Sequence, residues 1–551
     1  MRIIRPADAA PAYTVAAEAF RDLWKAVTGE VLPIGTEWGE GPCVLIGADD
    51  VLPAAADLLR DRAVDTLGIR YGTDDYCIRS ASYKGQSVLM LAGGRGRSTL
   101  YAVYDYFARA AGVRYYWDGD AVPQRDSLPL EGWAVQERPR FDYRGLRYFA
   151  HRSLARFQAE QWGLADWKRE IDWMCKRRLN YFMLRIGHDD VFQRAFPELV
   201  PYPDPNGPCP EYDPDAMPGY DDRTVFWPLE YRSKLRKMVL DYAFERDLIH
   251  SEDCGTMTHW YSRTPKAYLD AVKPEFVPQT TAGYRQPTGL VWDIRKGENL
   301  DRYFKLTEAY VENYGRPELF HTIGLAERMC YEDRTDNLRL KLFTYRQIAR
   351  RLRDRWPDSK LLIASWDFVM YWKPDEVRKL VDELDPERTL ILDYTSENPP
   401  EDTCFKAWGF WKRFPWIFGI FHAYESEADM RGDYALIDRR LRDAAEDPYC
   451  RGMILWPELS HSDTLMLEYF TDNAWSPRAR DVHALIADLC RGRYGADAGY
   501  MNGVWEDFFP LLRLIARATR CSAPTRSICT ISNSASTSSV GFPARSRLFR
   551  K

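Results

Sequence analysis

The chain has 551 residues, of which 45% are hydrophobic and 28% charged, and its formal net charge is −5. This length exceeds what one hydrophobic core supports, so we expect two or three domains. Both signs of charge are mixed along the chain, which excludes a basic nucleic-acid footprint. No apolar run approaches the ~20 residues that span a bilayer.

Cysteine usage and the N-terminal segment bear on the cellular compartment. The eleven cysteines form no CxxC pair and no metal-type spacing, which indicates reduced thiols rather than a disulfide framework. The first residues, MRIIRPADAAPAY, lack the apolar stretch of a signal peptide. We therefore expect a cytoplasmic protein with no nucleic-acid partner, no membrane partner and no cofactor. The oligomeric state stays open.

Residues 1–135 are expected to form a small α/β domain. The segments "CVLIGA" (43–48) and "SVLMLAGG" (87–94) are apolar and end in Gly or Ala, as buried strands do. The segment "STLYAVYDYFARAAGV" (98–113) has helical periodicity. The intervening "GGRGR" (93–97) resembles a phosphate-binding loop but lacks the spacing of a nucleotide motif, so a plain strand-to-helix turn is favoured.

Residues 136–478 alternate strands and helices. Strands separated by helices such as "LADWKREIDWMCKRR" (164–178) and "YRSKLRKMVLDYAFER" (231–246) predict parallel βα units. Eight such units predict a (β/α)8 TIM-like barrel, with segment 196–230 inserted in a loop. The eight predicted strands are 141–150, 179–187, 247–255, 319–327, 360–368, 389–397, 416–425 and 452–458.

The remaining chain differs in character. Residues 479–519 show helical patterns, which predict the start of a partial, truncated helical C-terminal region. Residues 520–551 are rich in Ser, Arg and Thr, which predicts a disordered or out-of-frame tail.

Active sites of TIM barrels lie at the C-terminal ends of the strands. A ring of carboxylates at these ends indicates glycoside hydrolysis, which needs one group to protonate the leaving oxygen and another to attack carbon or activate water. A divalent metal held by histidine and aspartate is the less favoured alternative, because no HxH or HExxH spacing occurs. The polar residues at the predicted strand ends are His151, His188, Asp189, Asp190, Cys254, His259, Glu327, Asp367, Glu397, His422, Glu425 and Glu458.

Four segments together resemble the α-N-acetylglucosaminidases of glycoside hydrolase family 89. The helix and strand at 167–194 are similar to that family's Trp-rich helix, which leads into a strand and a Gln-Arg pair. The segments "LILDYTSENPP" (390–400) and "PWIFGIFHAYE" (415–425) resemble its Leu-Asp-Leu and Pro-x-Ile-Trp stretches. The segment "GMILWPELSHSDTLMLEYFTDNAW" (452–475) matches its Pro-Glu segment and the following helix.

The resemblance implies a retaining α-glycosidase with Glu458 as the nucleophile and Glu327 as the acid/base. In an α-linked N-acetylglucosaminide the 2-acetamido group is cis to the leaving group and cannot attack from the rear. Retention therefore requires a protein nucleophile. A small carbohydrate is the expected partner, with no metal. The implied sugar-binding residues are His188, Asp189, Trp366, Tyr394, Phe421, His422, Tyr424 and Trp456.

The sequence differs from the family next to the proposed acid/base, and two other functions stay open. Ala326 replaces the Asn that precedes the family's acid/base. An α-glucuronidase-like hydrolase would need Arg185 or Arg328 for the uronate, and a catalytically inactive carbohydrate-binding barrel is the other alternative. If the strand count were off by one, Glu425 or Glu397 would replace Glu458 as the partner of Glu327.

Overall fold

The fold is described from a computed structural model. It covers residues 1–148, 158–184, 186–188, 190–202, 204, 228–254, 264–277, 292–324, 333–394, 396–397, 404–422, 430, 432–457, 463–476 and 478–521.

The N-terminal region is built on a six-stranded sheet with helices packed on it. The strand order is β2-β1-β3-β5-β4-β8, and a separate two-stranded hairpin joins β6 and β7. The strands are β1 (Arg2–Ile4), β2 (Ile34–Gly35), β3 (Cys43–Ile46), β4 (Tyr76–Tyr83), β5 (Gln86–Gly93), β6 (Arg114–Tyr116), β7 (Gly119–Ala121) and β8 (Ala134–Glu137). The helices are α1 (Pro11–Thr28), α2 (Pro53–Arg60) and α3 (Gly96–Ala111).

The glycine-rich segment 93–97 is the predicted turn from a strand to a helix, between β5 and α3. A Cβ on Gly94 would collide with the carbonyl oxygen of Arg70, so this close approach requires glycine. The two arginines of the segment bind carboxylates of the chain itself. Arg95 Nε donates to Asp247 at 2.7 Å, and Arg97 Nε donates to Asp74 at 2.6 Å.

The predicted TIM barrel is confirmed. Eight parallel strands close in the order β9 to β16, with β16 hydrogen-bonded back to β9. Each observed strand lies within or overlaps one predicted strand. The strands are β9 (Tyr143–Tyr148), β10 (Tyr181–Leu184), β11 (Ile249–Asp253), β12 (Leu319–Thr322), β13 (Lys360–Ala364), β14 (Thr389–Asp393), β15 (Trp416–His422) and β16 (Cys450–Pro457).

Helices surround the barrel and continue beyond it. Those with the barrel are α4 (Leu164–Lys176), α5 (Val191–Ala195), α6 (Leu229–Phe244), α7 (Lys266–Val272), α8 (Gly297–Tyr314), α9 (Arg334–Arg355), α10 (Trp366–Tyr371), α11 (Pro374–Glu383), α12 (Tyr434–Ala445) and α13 (Thr464–Trp475). Two more follow, α14 (Val482–Tyr494) and α15 (Ala498–Cys521). No helix in the described ranges is both long and apolar enough to cross a membrane. The domain bounds given above stay a prediction.

Side chains alternate between the barrel lumen and the surrounding helices, as strand geometry requires. On β16, Ile454 and Trp456 belong to the inner cluster, whereas Met453 and Leu455 pack against the helices. Large apolar side chains, together with a few buried polar ones described below, fill the lumen, so the barrel is a packed core rather than a pore.

A buried ion cluster joins the N-terminal region to the base of the barrel. Asp74 accepts hydrogen bonds from Arg97 Nε at 2.6 Å, from Arg144 Nη2 at 2.5 Å and from Asn180 Nδ2 at 2.7 Å. Burial alone would raise the pKa of Asp74, but Arg97 and Arg144 outweigh it and hold the pKa well below its usual range. The two parts of the chain are therefore fixed to each other by charge as well as by packing.

Candidate active site

Aromatic residues at or just after the C-terminal ends of β13 to β16 form a wall of ring contacts at this end of the barrel. The ring centroids of Phe421 and Trp456 are 4.3 Å apart, and those of Tyr394 and Trp456 are 4.7 Å apart. Trp366 extends the wall towards the mouth, 5.9 Å from Phe421. The structure thus brings together Trp366, Tyr394, Phe421 and Trp456, four of the residues predicted to bind sugar. Flat rings of this kind suit the C–H faces of a pyranose.

The opposite side of the lumen carries polar side chains among apolar ones such as Met183 and Ile249. Asp253, the last residue of β11, lies beside His321 of β12, and its Oδ1 is 3.1 Å from His321 Nδ1. The other ring nitrogen of His321 lies 3.1 Å from the hydroxyl of Tyr394, so this chain of contacts reaches the aromatic wall. All three side chains are buried. The sequence analysis named neither Asp253 nor His321.

A cation lies in the same part of the lumen. Arg147 of β9 is fully buried, with its guanidinium carbon 3.9 Å from the ring centroid of Trp456 and 5.2 Å from that of Tyr394. Such cation–π contacts are strongest where water is excluded. Arg147 is a further residue of the site that the sequence analysis missed.

His188, a predicted sugar ligand, lies behind Asp253. Its Nδ1 is 3.5 Å from Asp253 Oδ2 and its Nε2 is 2.5 Å from Glu252 Oε1. Arg236 Nη2 of α6 donates to the other oxygen of Glu252 at 2.7 Å. Burial raises the pKa of Glu252, but Arg236 and His188 outweigh it, so the carboxyl stays ionised. Glu252 faces the helices, and this buried network fixes the imidazole that contacts Asp253.

His422, the other predicted histidine, occupies an outward position at the end of β15. Its Nε2 lies 2.8 Å from Asp463 Oδ2. Asp463 also caps α13, because its Oδ1 accepts a hydrogen bond from the backbone N–H of Met466 at 3.0 Å. The imidazole therefore links the barrel rim to the first turn of that helix.

A buried hydrogen-bond network supports the aromatic wall. Ser365 Oγ donates to Asp393 Oδ1 at 3.0 Å and accepts from the backbone N–H of Tyr394 at 2.9 Å. Asp393 also accepts from Ser396 Oγ and from the backbone N–H of Phe405, each at 2.8 Å. Burial raises the pKa of this carboxyl. The network ties together the ends of β13 and β14, from which Trp366 and Tyr394 project.

The backbone just after β12, the strand that precedes Glu327 in the sequence, is closely packed at Gly324. Gly324 has φ of +71°, and a Cβ there would collide with the hydroxyl of Tyr345 and the carboxylate of Asp367. Asp367, one of the predicted strand-end acids, is fully buried and accepts from Lys341 Nζ at 2.9 Å and from Tyr345 OH at 2.7 Å. Its carboxylate thus supports the loop that follows β12.

Several predicted site residues lie outside the described residues. These are Asp189, Glu327, Tyr424 and Glu458, together with Arg185, Ala326, Arg328 and Glu425. The predicted positions of Glu327 and Glu458 rest on the strand count. That count is confirmed, because β12 and β16 are the fourth and eighth strands of the closed barrel. Within the described ranges, no three His, Cys, Asp or Glu side chains are grouped as metal ligands are.

The fold matches solved glycoside hydrolases. A family 89 enzyme from Clostridium perfringens, in complex with 2-acetamido-1,2-dideoxynojirmycin, superposes with a TM-score of 0.59 at 16% identity, covering 88% of this chain and 51% of that one. A family GH115 4-O-methyl-α-glucuronidase superposes with a TM-score of 0.59 at 12% identity, and the match covers 93% of this chain and 61% of that one. A family GH20 β-N-acetylhexosaminidase from Streptomyces coelicolor superposes with a TM-score of 0.53 at 15% identity, and the match covers 91% of this chain and 92% of that one.

At these identities the structural matches establish the fold alone. The chain spans about half the length of the family 89 structures. No curated protein matches the sequence. The model of the α-N-acetylglucosaminidase (NAGLU) TIM-barrel domain matches residues 299–477, which include β12 to β16. This part of the barrel therefore resembles the TIM-barrel domain of the α-N-acetylglucosaminidases, and the fold as a whole is that of a glycoside hydrolase barrel.

Proposed function

We propose that the protein is a retaining, exo-acting glycoside hydrolase that cleaves α-linked N-acetylglucosamine or a closely related α-glycoside. The observation that carries the proposal is the end of β16. Gly452, Ile454 and Trp456 occupy inward positions in strict alternation, and the strand ends at Pro457. Glu458 follows Trp456 by two residues in the sequence, so continued alternation would turn it inward, which supports its assignment as the nucleophile.

The proposed mechanism is a double displacement. Glu458 attacks the anomeric carbon while Glu327 protonates the leaving oxygen. Glu327 then removes a proton from the water that hydrolyses the glycosyl-enzyme. The two carboxyl groups must lie ~5–5.5 Å apart for this reaction. Because β12 and β16 are on opposite sides of the barrel, the loop after Gly324 has to carry Glu327 inward over the lumen.

The substrate class is inferred from the family. Another structure of the Clostridium perfringens enzyme is a complex with its substrate GlcNAc-α-1,4-galactose. The aromatic wall of Trp366, Phe421 and Trp456 supports binding of one pyranose at the end of the barrel. Stacking of one terminal pyranose on this wall is the binding mode that an exo-acting enzyme requires.

One observation favours a second candidate, an α-glucuronidase-like hydrolase. Arg147 places a buried guanidinium in the lumen beside the aromatic wall, where it would attract a uronate carboxylate. The fold of the family GH115 4-O-methyl-α-glucuronidase is also similar. The neutral and the acidic sugar would occupy the same site.

The test is turnover of a panel of 4-nitrophenyl α-glycosides that includes N-acetylglucosaminide, glucoside and glucuronide. Turnover of the acetamido sugar with initial release of the α-anomer, followed by NMR, is the expected result. Selective turnover of the glucuronide would favour the second candidate. Absence of turnover across the panel, with sugar binding retained, would instead identify a catalytically inactive carbohydrate-binding barrel.

Adding azide to alanine variants of Glu458 and Glu327 tests which glutamate is the nucleophile and which is the acid/base. In Glu458→Ala, azide takes the place of the lost nucleophile and should give the β-glycosyl azide. In Glu327→Ala, azide attacks the glycosyl-enzyme and should give the α-glycosyl azide. Glu425→Gln is the matched control, because this residue is the partner that a miscounted strand would select. If Glu425→Gln abolished turnover and Glu458→Ala did not, the assignment of the nucleophile would be wrong.

A further inference from the structure

We propose that a cleft at the N-terminal end of the barrel binds a small organic phosphate or sulfate. The cleft has a volume of about 290 Å³ and lies between α9, the end of α11 and the first residues of β13 and β14. Active sites of TIM barrels lie at the opposite end of the strands. This anion site is therefore separate from the candidate active site, and the inference does not rest on the proposed function.

The first argument is the charge of the cleft lining. The charged residues that line it are Arg346, Arg350, Arg353, Glu383, Asp385 and Arg388. Glu383 is held by Arg346, whose Nε and Nη2 donate to its two oxygens at 2.6 and 2.7 Å. Asp385 Oδ1 accepts from the backbone N–H of Glu387 at 2.9 Å. Among the described residues, neither carboxylate forms an ion pair with the other three arginines.

These three guanidiniums keep donors for a ligand. The Nε atoms of Arg350 and Arg353 each lie 3.8 Å from an oxygen of Asp354, which is longer than a hydrogen bond. Arg388 forms no ion pair and no side-chain hydrogen bond with any residue in the described ranges. A guanidinium is a rigid fork of N–H donors that matches phosphate and carboxylate oxygens. Three such forks at one cleft can therefore bind an oxyanion together.

The second argument is that the surplus of positive charge is local. On the neighbouring face of α9, Arg351 has an acid partner from another helix, Asp301, at 2.6 Å. At the cleft, Arg346, Arg350 and Arg353 follow one another at spacings of four and three residues. Like charges at these spacings lie on one face of a helix and destabilise it, and a bound anion offsets this repulsion. The net charge of the chain is −5, so overall charge does not account for the cluster.

The third argument is the apolar floor of the cleft. Leu352, Leu361 and Leu384 line it with buried side chains. The backbone beside this floor is fixed, because the carbonyl oxygen of Arg388 accepts from the N–H of Leu361 at 2.8 Å. Apolar side chains suit the carbon skeleton of an organic anion better than a hydrated inorganic ion. A volume at the lower limit of small-molecule pockets, about 300 Å³, indicates a ligand of monosaccharide size.

The number of guanidiniums indicates which acidic group the ligand carries. A phosphate ester offers three terminal oxygens and nearly two negative charges, so it can contact three arginines at once. A carboxylate has only two oxygens and one charge. A sulfate ester has the geometry of the phosphate with one charge, so the two esters share the chemistry of the site and are separated by experiment.

Binding is measured by isothermal titration calorimetry with glucose 6-phosphate, glucose 6-sulfate and, as the neutral probe, glucose. The variants are Arg353→Met and Arg388→Met. The control is Arg316→Met, which removes the same charge at the same end of the barrel but outside the cleft. The side chain of Arg316 is 54% exposed against 58% for Arg353, and it contacts Asp358 at 2.9 Å. Urea unfolding establishes that each variant is folded.

We expect the wild type to bind glucose 6-phosphate at least about tenfold more tightly than glucose. Arg353→Met and Arg388→Met should each weaken this binding about tenfold or more, because each removes charge-assisted hydrogen bonds. Arg316→Met should change it less than about threefold. Equal binding of both esters would define a site for either, and tighter binding of the phosphate would define a phosphate site.

Three results would overturn the inference. The first is that neither ester binds the wild type, or that glucose binds as tightly as its phosphate. The second is that Arg353→Met and Arg388→Met bind as the wild type does. The third is that Arg316→Met weakens binding as much as they do, since the attraction would then be general rather than confined to the cleft. None of these results depends on whether the protein turns over a glycoside.

Discussion

The guanidinium carbon of Arg147 lies 3.9 Å from the ring centroid of Trp456. The two residues project from neighbouring strands, β9 and β16, that are paired in parallel register up to Leu146 and Leu455. Trp456 is separated from the proposed nucleophile by a single residue. The buried cation therefore sits on the strand next to the one that delivers Glu458.

Replacing this cation should change the pH dependence of turnover. A nearby positive charge stabilises an ionised carboxylate and lowers its pKa, so removing the charge raises it. In Arg147→Met, we expect the acid limb of kcat/KM to move upward by about 1 pH unit or more. Arg147→Lys keeps the charge and should move the limb less. Steady-state kinetics on a 4-nitrophenyl α-glycoside between pH 4 and 9 measures both. Identical acid limbs in the wild type and Arg147→Met would contradict an electrostatic role.

The buried carboxyl of Glu170 should make stability depend on pH. Its oxygens accept from Tyr148 OH and Trp117 Nε1, each at 2.7 Å, and burial raises its pKa from 4.5 to about 7. Between these two values the folded protein holds a proton that the unfolded chain has lost, so stability falls as pH rises from about 4.5 to about 7. The shift corresponds to about 3 kcal/mol.

Glu170→Gln removes this titration. The difference in unfolding free energy between the variant and the wild type should therefore increase in favour of the variant as pH rises from 5 to 7.5. Urea titrations at several pH values measure it. Glu298→Gln, at a solvent-exposed glutamate of α8, is the control and should show no such trend. A constant difference between Glu170→Gln and the wild type over this range would show that Glu170 does not titrate there.

The ion cluster at the base of the barrel should contribute strongly to stability. Asp74→Asn leaves Arg97 and Arg144 buried beside a neutral amide, and breaking a buried ion pair on one side typically costs about 3–5 kcal/mol. We expect a loss of this size in chemical denaturation. Asp126→Asn, at an exposed aspartate, should change stability by less than about 0.5 kcal/mol. Equal stability of the two variants would mean that the cluster contributes little.

Gly324 should be required for activity beyond its effect on folding. In Gly324→Ala the new Cβ meets the Tyr345 hydroxyl and the Asp367 carboxylate, and the positive φ adds about 1 kcal/mol of strain. The loop that carries Glu327 should shift, and kcat should fall at least tenfold at temperatures where the variant is folded. Adding Tyr345→Phe removes the hydroxyl, which is the atom closest to the new Cβ, and should restore part of kcat. If the double variant were no better than the single one, the clash with Tyr345 would not be the cause.

The sequence by itself determined the architecture and part of the site. Eight apolar segments separated by amphipathic helices specify parallel βα units, because burial on both sides leaves strands few alternatives. Trp366, Tyr394 and Trp456 could be assigned to the mouth because they lie at or just after the ends of β13, β14 and β16. Placing Glu327 after the fourth strand and Glu458 after the eighth needed only the strand count, which the barrel confirms.

Only the tertiary structure decided which polar residues face the lumen. The strand Ile249–Asp253 reads IHSED and carries polar groups on both faces, so its alternation does not tell inside from outside. Its register with β10 and β12 turns Asp253 inward and Glu252 towards Arg236. The sequence analysis missed Arg147 because inward positions of a buried strand are usually apolar. Trp456, which the Arg147 side chain contacts, lies more than 300 residues away in the chain. Contacts over such separations form only when the barrel closes, and no local pattern encodes them.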